Sequence, residues 1–132
     1  MKALPTNPTK ALSVGSQLNC IDNSGAKVLE IIAVRGYKGK RRAKPRAGVA
    51  TLVMCKVIKG SEKVRKQVFK AVIVRQKKEY RRSNGMRIKF EDNAAVLVDD
   101  KFESRGTLIK GPIAKEVVQR FPIIGKIAST VV

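Results

Sequence analysis

The sequence contains no histidine and no tryptophan, has two tyrosines, and sets only 10 acidic residues against 29 lysines and arginines. Without histidine it lacks the commonest general base and the commonest metal-binding side chain. No Gly-x-Ser-x-Gly, Cys-x-x-Cys or glycine-rich nucleotide fingerprint occurs. Cys20 and Cys55 are far apart, show no metal spacing and fall in apolar stretches. They read as inert, reduced thiols of a cytoplasmic protein. No apolar run approaches the ~20 residues of a membrane span. The start, MKALPTNPTKALSVG, lacks the apolar stretch of a signal peptide. Glu91, Asp92, Asp99 and Asp100 are the only carboxylates grouped closely enough to suggest a divalent cation. They fall at strand ends, where Asp serves turns, so no metal, no cofactor and no enzymatic activity are expected.

What the sequence has is positive charge, +19 in all. An excess of this size repels itself unless a polyanion offsets it. Nucleic acid is the partner it points to. A membrane surface would call for a basic amphipathic helix, and none is found. The charge is also uneven. From residue 91 onwards six acids (Glu91, Asp92, Asp99, Asp100, Glu103, Glu116) balance six bases (Lys101, Arg105, Lys110, Lys115, Arg120, Lys126). The first 90 residues keep the other 23 bases and 4 acids. One part of the molecule is built for a polyanion, and the other is free to meet protein.

The pattern along the chain is that of short strands. Residues 1–13, with Pro5 and Pro8, read as an extended arm with little structure of its own. SQLNCID and AKVLEIIAV read as two strands joined by the turn DNSG (Asp22–Gly25). VATLVMCKVI (Val49–Ile58) is an almost unbroken apolar run, and VFKAVIVRQKK (Val68–Lys78) is a further strand. Asn84-Gly85 is a strong hairpin signal. RIKF (Arg87–Phe90) and NAAVLVD (Asn93–Asp99) read as the last core strands. GTLIKGP adds an extended piece, AKEVVQRF is helical until Pro122 stops it, and IIGKIAS reads as a last helical turn. Five or six short strands with helix only at the end suggest a mainly β fold, a small closed barrel. One domain is expected: arm 1–13, barrel core 14–100 with a basic loop at 35–48, and a C-terminal extension 101–132.

Two basic clusters stand out. RGYKGKRRAKPRAG holds Arg35, Lys38, Lys40, Arg41, Arg42, Lys44 and Arg46 with no acid. No local ion pair relieves their repulsion, so phosphate binding is favoured over a merely solvated loop. GYKG fits the GxxG of a KH module, but a strand and not a helix precedes it. GYKGKR is too short for a P-loop. The second cluster, RQKKEYRR, supplies Arg75, Lys77, Lys78, Arg81 and Arg82. Lys10 of the arm, Lys27 in the second strand, and Arg65 and Lys66 in the connector after the third extend the footprint. Tyr37 and Tyr80 lie inside the clusters. Each either stacks on an unpaired base or sits half-buried on a barrel rim, and the residues alone leave both readings open. Two other functions fit less well: a free-standing barrel that binds single strands through Tyr37 and Tyr80, and a metal-dependent nuclease centred on Asp99.

LNCIDNSGAKVLEI, GVATLVMCKVIKG, KAVIVRQKKEYRRSNGMRIKFEDNAAVLV and GTLIKGPIAKEV, in that order, resemble the large-subunit ribosomal protein family of universal type fourteen. The resemblance runs from about Ser16 to the C-terminus. The arm, YKGKRRAKPRAG and FPIIGKIASTVV are similar to its archaeal and eukaryotic branch. The resemblance implies a five-stranded barrel with short C-terminal helices. It implies binding to large-subunit rRNA, a bridge to small-subunit rRNA at the subunit interface, and contact with neighbours including the universal type-three protein. It also implies that the region from about Thr107 to Val132 docks the anti-association initiation factor, here through Lys115, Glu116, Gln119, Arg120, Phe121 and Ile124. Ala50-Thr51 departs from the Gly-Asp pair that family members often carry after the loop. The basic run is then expected to leave the barrel between its second and third strands, mobile alone and ordered on RNA.

Overall fold

The computed structural model describes residues 1–132. In chain order the elements are β1 (Leu12–Ser13), β2 (Gln17–Cys20), β3 (Ala26–Val34), β4 (Arg46–Ala47), β5 (Leu52–Gly60), β6 (Val68–Arg75) and β7 (Tyr80–Arg81). Then come β8 (Arg87–Ile88), β9 (Ala94–Val98), β10 (Ile109–Ile113), α1 (Lys115–Arg120), α2 (Pro122–Ile127) and β11 (Ala128–Val131). Five strands close a barrel in the order β2-β3-β5-β6-β9. Neighbours are antiparallel except at the seam, where β2 runs parallel to β9 and sets Asn19 beside Ala94. The mainly β, five-stranded barrel expected from the sequence is the fold observed.

The barrel has one wall buried on both faces. Side chains alternate along a strand, so Ala71, Ile73, Ala95 and Leu97 point inward and meet Leu18, Leu29, Ile31, Val53 and Cys55. Val72, Val74, Ala94, Val96 and Val98 point outward, where Ile109, Ile113, Val117, Phe121 and Ile124 of the C-terminal extension cover them. This is why all five residues of β9 are buried and why its sequence is continuously apolar rather than alternating. Each large apolar side chain buried in this second core contributes about 1.5–3 kcal/mol.

Several expectations need correction. Only Arg87–Ile88 of RIKF is strand, and it pairs with β7 in a separate two-stranded sheet. β6 already pairs with β9, which leaves the barrel no free edge for it. Pro122 begins α2 rather than merely ending α1. Its missing N–H costs nothing in a first helical turn. β11 was not foreseen; it runs parallel to β10, with Thr130 opposite Pro112. The strand after the loop starts at Leu52, because Ala50 takes φ 62 and turns the chain. The arm is also less independent than its composition suggests. Pro8 and Leu12 are buried, β1 pairs with β4, and the Lys2 amide donates to the Arg120 carbonyl at 3.0 Å.

Candidate nucleic-acid interface

β3 delivers the chain to the basic loop, and β4 brings it back alongside β1. Arg35, Lys38, Lys40, Arg41, Arg42, Lys44 and Arg46 are all exposed, and Tyr37 is half-buried. None of the seven cations belongs to any of the six ion pairs in the molecule. A run without a carboxylate has no local partner, and the fold brings none to it. The Arg35 guanidinium sits over the Phe102 ring, 5.3 Å from its centroid.

The return from the loop is a close fit. A Cβ on Gly48 would lie 2.6 Å from the Thr9 carbonyl oxygen, so only glycine lets the arm approach. The Gly48 N–H donates to Thr51 Oγ1 at 3.2 Å. Thr51 thus accepts from the turn with its hydroxyl, although it carries no charge. Ala50, in the left-handed region at φ 62, offers its carbonyl to Arg120 Nη1 at 3.1 Å.

Lys10, Lys27, Arg65, Lys66, Lys77, Lys78 and Arg81 are exposed as well. Lys78 pairs with Glu79 at 2.9 Å, and its hydrogen bond holds the Glu79 carboxyl below the usual range. Three members of the second cluster are not free. Arg75 is buried against Asp92, with Nε 2.8 Å from Oδ1 and Nη2 donating to Oδ2 at 3.0 Å. Tyr80 and Arg82 converge on Glu116. Tyr80 Oη donates to Oε2 at 2.9 Å and Arg82 Nε to Oε1 at 2.8 Å. Arg82 Nη2 also donates to the Val132 carbonyl at 2.7 Å. Burial, reinforced by the Glu116 hydrogen bond, pushes the Tyr80 phenol up. Arg75, Tyr80 and Arg82 are therefore buried in contacts that hold the fold together, unlike the exposed members of the cluster. A charged strand end placed under the extension must find a carboxylate, and Asp92 and Glu116 are there.

The docking residues divide in the same way. Glu116, Phe121 and Ile124 are interior, the first in the ion pair and the other two in the second core. Lys115 and Gln119 are exposed, and Arg120 is half-buried. Three of the four acids weighed as a cation site pair with separate cations: Asp92 with Arg75, Asp99 with Arg105 and Asp100 with Lys70. Cys55 is buried, and Cys20 donates from Sγ to Asp22 Oδ1 at 3.1 Å.

Some residues that shape the interface escaped sequence reasoning. Gln76 is fully buried. Its Nε2 donates to the Thr9 carbonyl at 3.1 Å and its Oε1 accepts from the Val49 amide at 3.0 Å, tying arm and loop to β6. It sits inside a basic cluster, and nothing in RQKK separates it from a solvated glutamine. From the sequence Asp22 reads only as a turn residue. Its Oδ2 also accepts from the Leu97 amide at 2.9 Å, locking the turn to β9.

A cleft of about 770 Å³ opens between the arm, the start of the loop and α1. Lys10, Arg35, Lys38, Arg46 and Arg120 line it, with no acid among its 17 residues. A barrel carrying an unpaired cationic loop and a cationic cleft can bind a phosphate backbone.

The family model for ribosomal protein L14p/L23e matches residues 11–132. The large ribosomal subunit protein uL14 of Nanoarchaeum equitans is 53% identical over 133 residues, covering all of both chains. That of Halorubrum lacusprofundi is 52% identical over 98% of this chain and 96% of its own. That of Methanospirillum hungatei is 48% identical over the whole of both. A barrel of this topology, with these matches along its length, belongs to the ribosomal protein L14p/L23e family.

Proposed function

We propose that the chain binds large-subunit rRNA through its arm, its basic loop and the exposed part of the 77–81 segment, and contributes to a bridge with small-subunit rRNA. The coarser statement follows from family membership: the protein is a structural constituent of the large ribosomal subunit, cytoplasmic on the ribosome, and not an enzyme.

One observation carries the finer reading. The buried arginines Arg75 and Arg82 find carboxylates, whereas all seven loop cations are exposed and unpaired. The contacts are electrostatic and follow shape, because Tyr37 is the one tyrosine left for stacking. The loop is mobile in the free protein and becomes ordered on RNA. The neutral extension faces protein. Its accessible residues Lys115, Gln119 and Ile123 suit the anti-association initiation factor, and neighbours such as the universal type-three protein contact other parts of the surface.

The test is binding to a large-subunit rRNA transcript across a salt series. With about eight phosphates engaged, log K falls against log[salt] with a slope of roughly −6 to −7. Replacing Lys40, Arg41 and Arg42 by Ala should leave the fold intact, flatten that slope and weaken incorporation into subunits read by co-sedimentation. A flat salt dependence in the unmodified protein would remove the mechanism.

A further inference from the structure

We propose that the cleft between the arm, the loop and α1 is a built site for consecutive backbone phosphates of one RNA strand, and that filling it clamps the N-terminal arm to the barrel. The proposal rests on the rRNA-binding reading above and assigns Arg120, otherwise grouped with a protein-docking region, to the RNA side.

The cations converge from three distant parts of the chain: Lys10 from the arm, Arg35, Lys38 and Arg46 from the loop, and Arg120 from α1. None has a carboxylate partner. Arg120 is the most telling. Its Nε is buried without a hydrogen-bond partner, and one guanidinium nitrogen reaches only the Ala50 carbonyl. Burial lowers its pKa with no opposing partner. A part-buried cation left this way is costly unless an anion joins it. Arg35 is steadied over Phe102, so the site is partly pre-organised.

A second, shallower hollow of about 550 Å³ adjoins it, lined by Lys10, Tyr37, Arg42, Ala43, Lys44 and Arg46. Lys10, Tyr37 and Arg46 line both hollows and form the ridge between them. Two cationic hollows sharing an aromatic ridge match a single strand, with a phosphate in each and a base or sugar against the Tyr37 ring. The arm meets the barrel through few polar contacts, chiefly Gln76 to Thr9 and Lys2 to Arg120. An anion bridging Lys10 to Arg46 and Arg120 adds the contact that fastens it.

The test compares full-length protein with the Lys10→Ala/Arg46→Ala variant and with Arg120→Gln. Each is titrated with a mixed-sequence single-stranded RNA 12-mer, and arm cleavage by trypsin is followed after Lys2 and Lys10. The unmodified protein should gain protection of Lys2 on adding RNA. The double variant should lose that protection, and its salt slope should be shallower by about 1.4, 0.7 for each of two phosphates. Arg120→Gln should also lose the protection, with a slope shallower by about 0.7 for its one phosphate, and Arg120→Lys should restore binding. Should Arg120→Gln fail to fold, the exposed pair Lys10 and Arg46 decides the question. If the double variant keeps the full slope and protection while the Lys40, Arg41, Arg42 variant loses binding, the cleft is not a phosphate site and the rRNA reading stands. If the unmodified protein shows no salt dependence at all, the rRNA reading falls and this proposal with it. Equal protection of the arm by millimolar inorganic phosphate, with RNA adding nothing, would make the cleft a small-anion site and overturn the strand assignment.

Discussion

Arg82 Nε lies 2.8 Å from Glu116 Oε1, an interior ion pair that fastens the β7–β8 hairpin to the first turn of α1. Tyr80 completes it from below, so three polar groups satisfy one another where the extension closes over the barrel. Removing one partner leaves the other charged and dry. Glu116→Ala should cost about 3–5 kcal/mol in urea unfolding. Arg82→Met with Glu116→Leu should cost far less, because no orphaned charge remains. Equal losses in the single and double variants would show that packing, not charge pairing, dominates there.

Gly48→Ala puts a methyl group where the Thr9 carbonyl now sits, 2.6 Å away. The arm must move and the barrel need not. The expected result is faster tryptic cleavage after Lys10 with a thermal midpoint lowered by only a few degrees. An arm as resistant as that of the unmodified protein would contradict the geometry.

Ala50 tests the left-handed turn. Glycine adopts φ 62 without strain, so Ala50→Gly should stay within about 1 kcal/mol of the starting stability, lost methyl packing offsetting relieved strain. Ala50→Val sets a branched side chain in that conformation at a fully buried site. It should lose about 2–4 kcal/mol by denaturant titration.

The thiols give a pH dependence. Burial pushes Cys55 from 9.0 to about 12, and burial followed by the Asp22 carboxylate does the same for Cys20. Native thiolate at pH 8 is then about a thousandfold scarcer than in the unfolded chain, so iodoacetamide should label Cys55 only after unfolding. The linkage has one sign. The folded state keeps protons that the unfolded chain gives up, so this contribution is complete below pH 9 and fades as pH climbs towards 12. The upward shift of Tyr80 adds to it. Urea midpoints should fall between pH 9 and 11, and Cys55→Ala should make that fall shallower. A midpoint unchanged over that range would refute the account.

How much of this could be read from the residues alone depended on range. Local signals were legible: the strand pair around Asp22–Gly25, the Asn84-Gly85 hairpin, the apolar run of β9. So was the bare charge of Arg35–Arg46, because a run without acids stays unpaired wherever the fold puts it. What escaped was long-range pairing. Nothing in RQKKEYRR distinguishes Lys77, which faces solvent, from Arg75, which meets Asp92 17 residues away. The difference is made by the extension folding back over one end of β6. Glu116 and Phe121 were misplaced for the same reason. A six-residue helix has too few turns for its periodicity to say which side is covered. The two buried faces of β9 do leave a trace, an unbroken apolar run, but that run alone does not name the segment that covers it.

That doubly covered wall also sets an order of events on the translating ribosome that makes this chain. Val72, Val74 and Val96 leave the exit tunnel before Ile109, Val117 and Ile124, which cover them in the finished molecule. In the interval a nascent barrel carries a bare greasy flank beside an uncompensated cationic loop, a combination prone to sticking both to itself and to stray RNA. Escort by a chaperone through that interval would have to shield two chemically opposite surfaces at once.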